Sequence, residues 1–181
     1  MKDLSMHILD IAENSVKAGS DRVEVELVYT DRMLEMTICD NGCGMDEHIL
    51  ERVTDPYATS RTSRKVGLGL PFLKMNAEQT GGTVEIWSAP GEGTSVKAVF
   101  DTGHIDCVPE GDLSSTLALL MTGHPAINFV IRLKREKDVF EISSDEINEV
   151  LDGVPISHPK VGIFVRNMII EEIKHIKSNE L

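Results

Sequence analysis

Asp10, Asn14 and Lys17 stand at i, i+4 and i+7 in LSMHILDIAENSVKAG, residues 4–19. At helical pitch, about 100° per residue, they fall in a single row. Leu4, Ile8, Ile11, Ala12, Ser15 and Val16 fall on the other side. Alone, such a row reads as the solvated face of an amphipathic helix. Three Gly-rich segments follow it in an order that would wrap a nucleotide triphosphate against the row: Asp40-Asn41-Gly42-Cys43-Gly44, Gly67-Leu68-Gly69-Leu70 and Gly91-Glu92-Gly93-Thr94.

Each segment also has a plainer reading. Asn41-Gly42 is a favoured hairpin turn pair. Gly67 and Gly69 suit a loop that needs positive φ, and Gly91 to Thr94 suit a β-turn. Arg61, Arg64 and Lys65 suit a solvated loop. Their order and spacing behind a helix that carries Asn14 give them a joint meaning.

The elements that must position these residues are legible from periodicity. Gly19 reads as a helix C-cap. Val23, Val25, Leu27 and Tyr29 alternate with Glu24 and Glu26, which predicts a strand with one wet face; Leu34, Met36 and Ile38 predict a second, joined by a hairpin. Residues 46–53 read as a short helix and 54–66 as a long functional loop. A helix follows Gly67–Leu70, with Leu70, Leu73 and Ala77 as its core stripe and Pro71 in its first turn. Val84 and Ile86, then Val96, Ala98 and Phe100, give two more strands. Beyond a connector at 101–111, residues 113–121 read as a helix and 129–142 as a hairpin turning at KREKD. Ser143 to Glu146 form a capping box, and Pro159 opens a final helix. The pattern predicts a two-layer α/β sandwich over 1–102, its sheet mixed and mostly antiparallel with helices on one face. A small α+β appendage over 103–181 would serve as a packing, partner or homodimer contact.

The boxes resemble the GHKL ATPase superfamily, which includes type II topoisomerases, mismatch-repair ATPases, the large heat-shock chaperone and sensor histidine kinases, and shares the Bergerat ATP-binding fold. DIAENSVKAG resembles its N box, DNGCGM its G1 box, DPYATS its F box, GLGL its G2 box and GEGTS its threonine box. The resemblance implies ATP and Mg2+ as ligands. Asn14 would ligate Mg2+, and Asp40 would accept from the adenine amino group. Gly42, Gly44 and Met45 would line the base. Gly67, Leu68, Gly69 and Leu70 would meet the phosphates, and Thr94 would reach the adenine through a water. Arg61, Arg64 and Lys65 would sit on a lid. Asp10, four residues before Asn14, takes the place of the usual glutamate base and is shorter by a methylene; Glu13 ranks second. Lys17 resembles the lysine of sensor kinases. His7, beside the site, is a weak candidate phospho-acceptor, and the phospho-acceptor hairpin of sensor kinases is expected to be missing.

The implied activity is ATP·Mg2+ binding, with binding or slow turnover regulating a partner protein. The alternatives are a stand-alone kinase acting on a His or Ser of another protein, and a non-catalytic ATP-sensing adaptor. The chain has 181 residues and a formal net charge of −12, which argues against general binding to nucleic acid or anionic membrane. Without a leader or a long apolar run, it is expected to be cytoplasmic. Cys39, Cys43 and Cys107 lack framework spacing and suit a reducing compartment.

Overall fold

The alternation along the strands leaves one apolar sheet face to be covered, and the amphipathic helices supply the cover. The computed structural model describes residues 2–54 and 68–178. In chain order the elements are α1 (Leu4–Lys17), β1 (Arg22–Tyr29), β2 (Met33–Asp40), α2 (Glu47–Leu50), α3 (Gly69–Gln79), β3 (Thr83–Ala89), β4 (Gly93–Asp101), α4 (Leu113–Gly123), β5 (Asn128–Arg135), β6 (Asp138–Ser143), α5 (Ser144–Val150) and α6 (Pro159–Ser178).

The strands form one six-stranded sheet in the order β3-β4-β2-β1-β5-β6. Its neighbours are antiparallel except β1 and β5, which run parallel. Val25, Met36, Ala98 and Ile131 lie on the covered face with their same-face neighbours and join one core with α1, α3, α4 and α6. The other face carries charge in pairs: Glu24 with Arg132 at 2.9 Å, Glu35 with Lys97 at 2.8 Å, and the close pairs Glu26–Lys134 and Glu141–Arg132. This is the two-layer α/β sandwich expected, with a mixed, mostly antiparallel sheet.

Residues 103–181, expected as an appendage, share that sheet. β5 pairs with β1 from Arg22↔Asn128 to Val28↔Lys134, so the sheet runs unbroken across residue 102. The hairpin turn expected over 134–138 is shorter. Lys134, Arg135 and Asp138 are in strands, and Glu136 takes φ 51° in the tight turn between them.

Both ends of α1 are closed by local chemistry. The Asp3 carboxylate accepts from Met6 N at 2.9 Å. At the other end Gly19, at φ +77°, donates to Val16 O, and Ser20 N reaches back to Ser15 O. This crossed pair of bonds is a Schellman ending, and only the left-handed residue at its centre calls for glycine.

Because β5 is interior to the sheet, its core side chains support the whole molecule. Ile131→Ala is expected to destabilise by about 2–5 kcal/mol. One transition should be seen by both far-UV circular dichroism and the fluorescence of Trp87 on β3, the far edge. Two separate transitions in denaturant would show instead that residues 103–181 unfold on their own.

Candidate functional site

α1 presents its polar row away from the core. Asn14 and Lys17 are exposed and Asp10 is half-buried. Neither Asn14 nor Lys17 has a side-chain hydrogen bond or ion pair among the described residues. The Asp10 Oδ2 atom is buried without a partner among the described residues. A carboxylate oxygen in that state costs free energy unless something else satisfies it. Glu13 is turned elsewhere: its Oε1 meets His124 Nε2, at the end of α4, at 2.9 Å.

Asp40 ends β2 beside α1. The Ser15 hydroxyl donates to its Oδ2 at 2.6 Å, and the Gly42 amide donates to its Oδ1 at 2.9 Å. The carboxylate is therefore fixed in direction while keeping lone pairs free for a further donor. Thr94 lies directly opposite Asp40 in the β2–β4 ladder. Ser88, which the sequence did not single out, organises the neighbouring turn. Its hydroxyl donates to Gly93 O at 2.9 Å, so it accepts from Met45 N at 2.8 Å and from the Thr94 hydroxyl at 2.9 Å.

Two glycines let these turns touch. A Cβ on Gly44 (φ +65°) would stand 1.9 Å from Ala89 O, and one on Gly93 (φ +88°) would stand 1.9 Å from Asp40 O. Of the two, the resemblance placed Gly44 beside a bound ring; the neighbours both glycines make room for in the structure are the protein's own carbonyls.

Leu68 caps α3 without a side-chain hydrogen bond. Gly69 and Leu70 occupy its first turn before Pro71, no acceptor among the described residues takes their N–H groups, and a helix N terminus favours an anion. Arg61, Arg64, Lys65 and Gly67 lie outside the described residues. A cleft of about 590 Å³ on α3, lined by Thr54, Leu68, Phe72 and Met75 among others, shares only Leu68 and no charged member of the row. The site therefore follows the polar groups, not this cleft.

Among the described residues no cluster of three or more His, Cys, Asp or Glu side chains could hold a metal, including around Cys39 and Cys43. A hard cation here would take the exposed amide oxygen of Asn14 and complete its shell from water and an anionic ligand. That donor set suits Mg2+. His7 is not placed to accept a phosphoryl group: it is fully buried, with Nε2 against Asn76 Nδ2 at 2.8 Å.

A family model described as "Histidine kinase-, DNA gyrase B-, and HSP90-like ATPase" matches residues 2–104. The sensor histidine kinase YxdK of Bacillus subtilis (strain 168) is 36% identical over 108 residues, covering 56% of this chain and 33% of its own. The DNA mismatch repair protein MutL of Pediococcus pentosaceus is 26% identical over 167 residues, covering 88% of this chain and 25% of its own. The chain thus spans a third or less of these curated relatives. A solved structure, the N-terminal domain of a DNA repair protein, superposes with a TM-score of 0.56 at 16% identity, over 78% of this chain and 52% of that one. At that identity the likeness is one of fold. No helix among the described residues is long and apolar enough to cross a membrane.

Burial holds the His7 pKa down to about 4, against an ordinary 6.5. Below pH 6.5 the unfolded chain takes up a proton that the native state refuses. Stability from this group is therefore complete above about 6.5 and is lost as pH falls toward 4. The His7 ring resonances should not titrate until about pH 4; a midpoint near 6.5 by NMR would refute its burial.

Proposed function

The chain belongs to the family of histidine kinase-, DNA gyrase B- and HSP90-like ATPases, and from that premise we propose that it binds ATP·Mg2+ between α1, the end of β2 and the start of α3. Binding or slow hydrolysis would then regulate a partner protein. Family membership supports the ATP; the rest of the reading leans on one observation. The Ser15–Asp40 hydrogen bond joins a carboxylate oriented for recognition to the same helix that bears Asp10 and Asn14, which have no side-chain partner among the described residues.

In this reading Asp40 accepts from the adenine amino group, which selects adenine over guanine, whose carbonyl at that position would face a carboxylate. Thr94, already donating to Ser88, keeps its lone pairs for a water at the base. The uncapped N–H groups of Gly69 and Leu70 take phosphate oxygens. Arg61, Arg64 and Lys65 would add positive charge from the segment that precedes α3 in sequence. Mg2+, held through Asn14, would spread the triphosphate charge. Lys17 stands one turn beyond Asn14 as a further cation for the phosphates.

Asp10 is the general base. Its half-buried carboxylate would take the proton from a water aimed at the γ-phosphate, releasing ADP and inorganic phosphate. Its short side chain makes slow turnover the expectation, because a base must come within about 3 Å of the proton it removes or act through a second water. Residues 103–181 would carry the signal, since β5 is hydrogen-bonded to β1 and His124 holds Glu13 of the site helix.

The second reading, γ-phosphoryl transfer to a His or Ser of a separate protein, is favoured by the sensor kinase likeness. The first reading is favoured by the MutL likeness, which covers 88% of this chain and so reaches residues beyond the family match.

Titration calorimetry with ATP and Mg2+, followed by a phosphate-release assay, separates these readings. Asp40→Asn is expected to weaken ATP binding by at least about tenfold, roughly 1.4 kcal/mol, the cost typical of a lost charge-assisted hydrogen bond. Asp10→Asn is expected to keep binding and stop phosphate release. Unchanged affinity in Asp40→Asn would sink the site. Unchanged turnover in Asp10→Asn would remove Asp10 as base, and label appearing on a partner would move the reading to a kinase.

A further inference from the structure

Buried against α3 on the site helix is a polar group that the proposed chemistry does not use. His7 is fully buried, and Asn76 on α3 is 6% exposed. The Asn76 amide nitrogen can only donate, so His7 Nε2 accepts, at 2.8 Å, and the ring proton sits on Nδ1. That Nδ1 has no partner among the described residues. Among those residues this is the only side-chain hydrogen bond between α1 and α3.

Such a pair is an inefficient way to join two helices. It buries an imidazole and an amide and leaves one ring nitrogen unsatisfied, where two leucines would fill similar space without that penalty. What it adds is direction. Apolar packing tolerates small rotations and slides, whereas a buried hydrogen bond is lost if its atoms separate.

The position of the pair decides what that direction controls. Asn14 lies seven residues after His7 on α1, and Gly69 lies seven residues before Asn76 on α3. At 1.5 Å per residue, each is about 10 Å along its helix from the shared hydrogen bond. A swing of about 5° between the helices there would move either end by about 0.9 Å, enough to matter for an aligned reacting centre.

We infer that His7 and Asn76 are positioning residues that lock the phosphate-facing start of α3 to the row of Asp10 and Asn14. The inference rests on the ATP site proposed above. It concerns the triphosphate end of that site and not the adenine end, which Ser15 and Gly42 fix independently through Asp40.

The test compares affinities for ATP with Mg2+ and for ADP without it, by calorimetry on the full chain. His7→Leu/Asn76→Leu is expected to keep or raise the thermal midpoint. It should weaken ATP·Mg2+ binding at least tenfold while changing ADP affinity less than threefold. His7→Gln, whose amide can reach Asn76 as Nε2 does, should keep both affinities near wild type. Should the double variant fail to fold, Asn76→Ser, which is too short to reach His7, is expected to show the same split. A folded variant that binds both nucleotides as the wild type does, or loses both in parallel, would overturn the positioning role. Wild-type protein that binds neither nucleotide would overturn the ATP site itself, and the inference with it.

Discussion

Everything in the candidate site depends on how α1 is rotated about its own axis. The sheet sets that rotation coarsely: Leu4, Ile8, Ile11 and Ala12 are each buried to within a few percent, and turning them into water would cost about 1.5–3 kcal/mol per large side chain. Polar ties refine it. His7 reaches α3, Ser15 reaches Asp40 at the end of β2, and Glu13 reaches His124 at the end of α4. Each tie is made to a different element, so the row of Asp10, Asn14 and Lys17 is held from three directions while, among the described residues, none of its own side chains makes a hydrogen bond or ion pair.

The same economy appears where β2 meets the β3–β4 turn. Gly93 backs onto the Asp40 carbonyl and Gly44 onto the Ala89 carbonyl, leaving no room for a side chain between the two turns. With the backbones pressed together, Ser88 can link Met45, Gly93 and Thr94 through one hydroxyl. Asp40 and Thr94 then stand opposite each other in a ladder of rigid strands and not on free loops. As the recognition pair of the proposed function they would be ordered before any ligand arrives, which would lower the entropy to be lost on binding.

Much of this was legible in the sequence, and the limits of legibility have physical causes. Strands β1 to β6 announce themselves because alternation is a local signal; so does the Ser143 capping box. The pairing of β5 with β1 does not, since a parallel pair links segments about a hundred residues apart and leaves no mark on either one. Asp40, Gly44, Gly93 and Thr94 were found by motif. Ser15 and Ser88 were not, because a serine that orients another group looks like any small residue until its partner is in place. His7, weighed only as a weak candidate phospho-acceptor, was ambiguous for a related reason. A histidine near a site suggests chemistry, and only its depth and the facing Asn76 show that it is a structural contact between helices.

The uncovered sheet face bears on how a bound nucleotide could be felt elsewhere. Glu24, Glu26, Glu35 and Glu141 alternate there with Lys97, Arg132 and Lys134 in paired contacts. Half-exposed pairs of this kind add little to stability, about 0–1 kcal/mol each. Covering them with a partner would be costly, because each charge would lose its water and regain only the attraction it already has. The face is thus suited to stay in solvent, and a signal leaving the site has its shortest route through the helical layer. There α1 packs on α4, α4 packs on α6, and Glu13 with His124 bridges the first of these contacts one residue away from Asn14. In the proposed site, a change of charge at Asn14 would therefore arise beside the one side-chain hydrogen bond that, among the described residues, ties the site helix to residues 103–181, while the backbone bonds of Leu4 and Ser5 to Pro109 and Glu110 hold the other end of the helix, and the other side of the sheet need not take part.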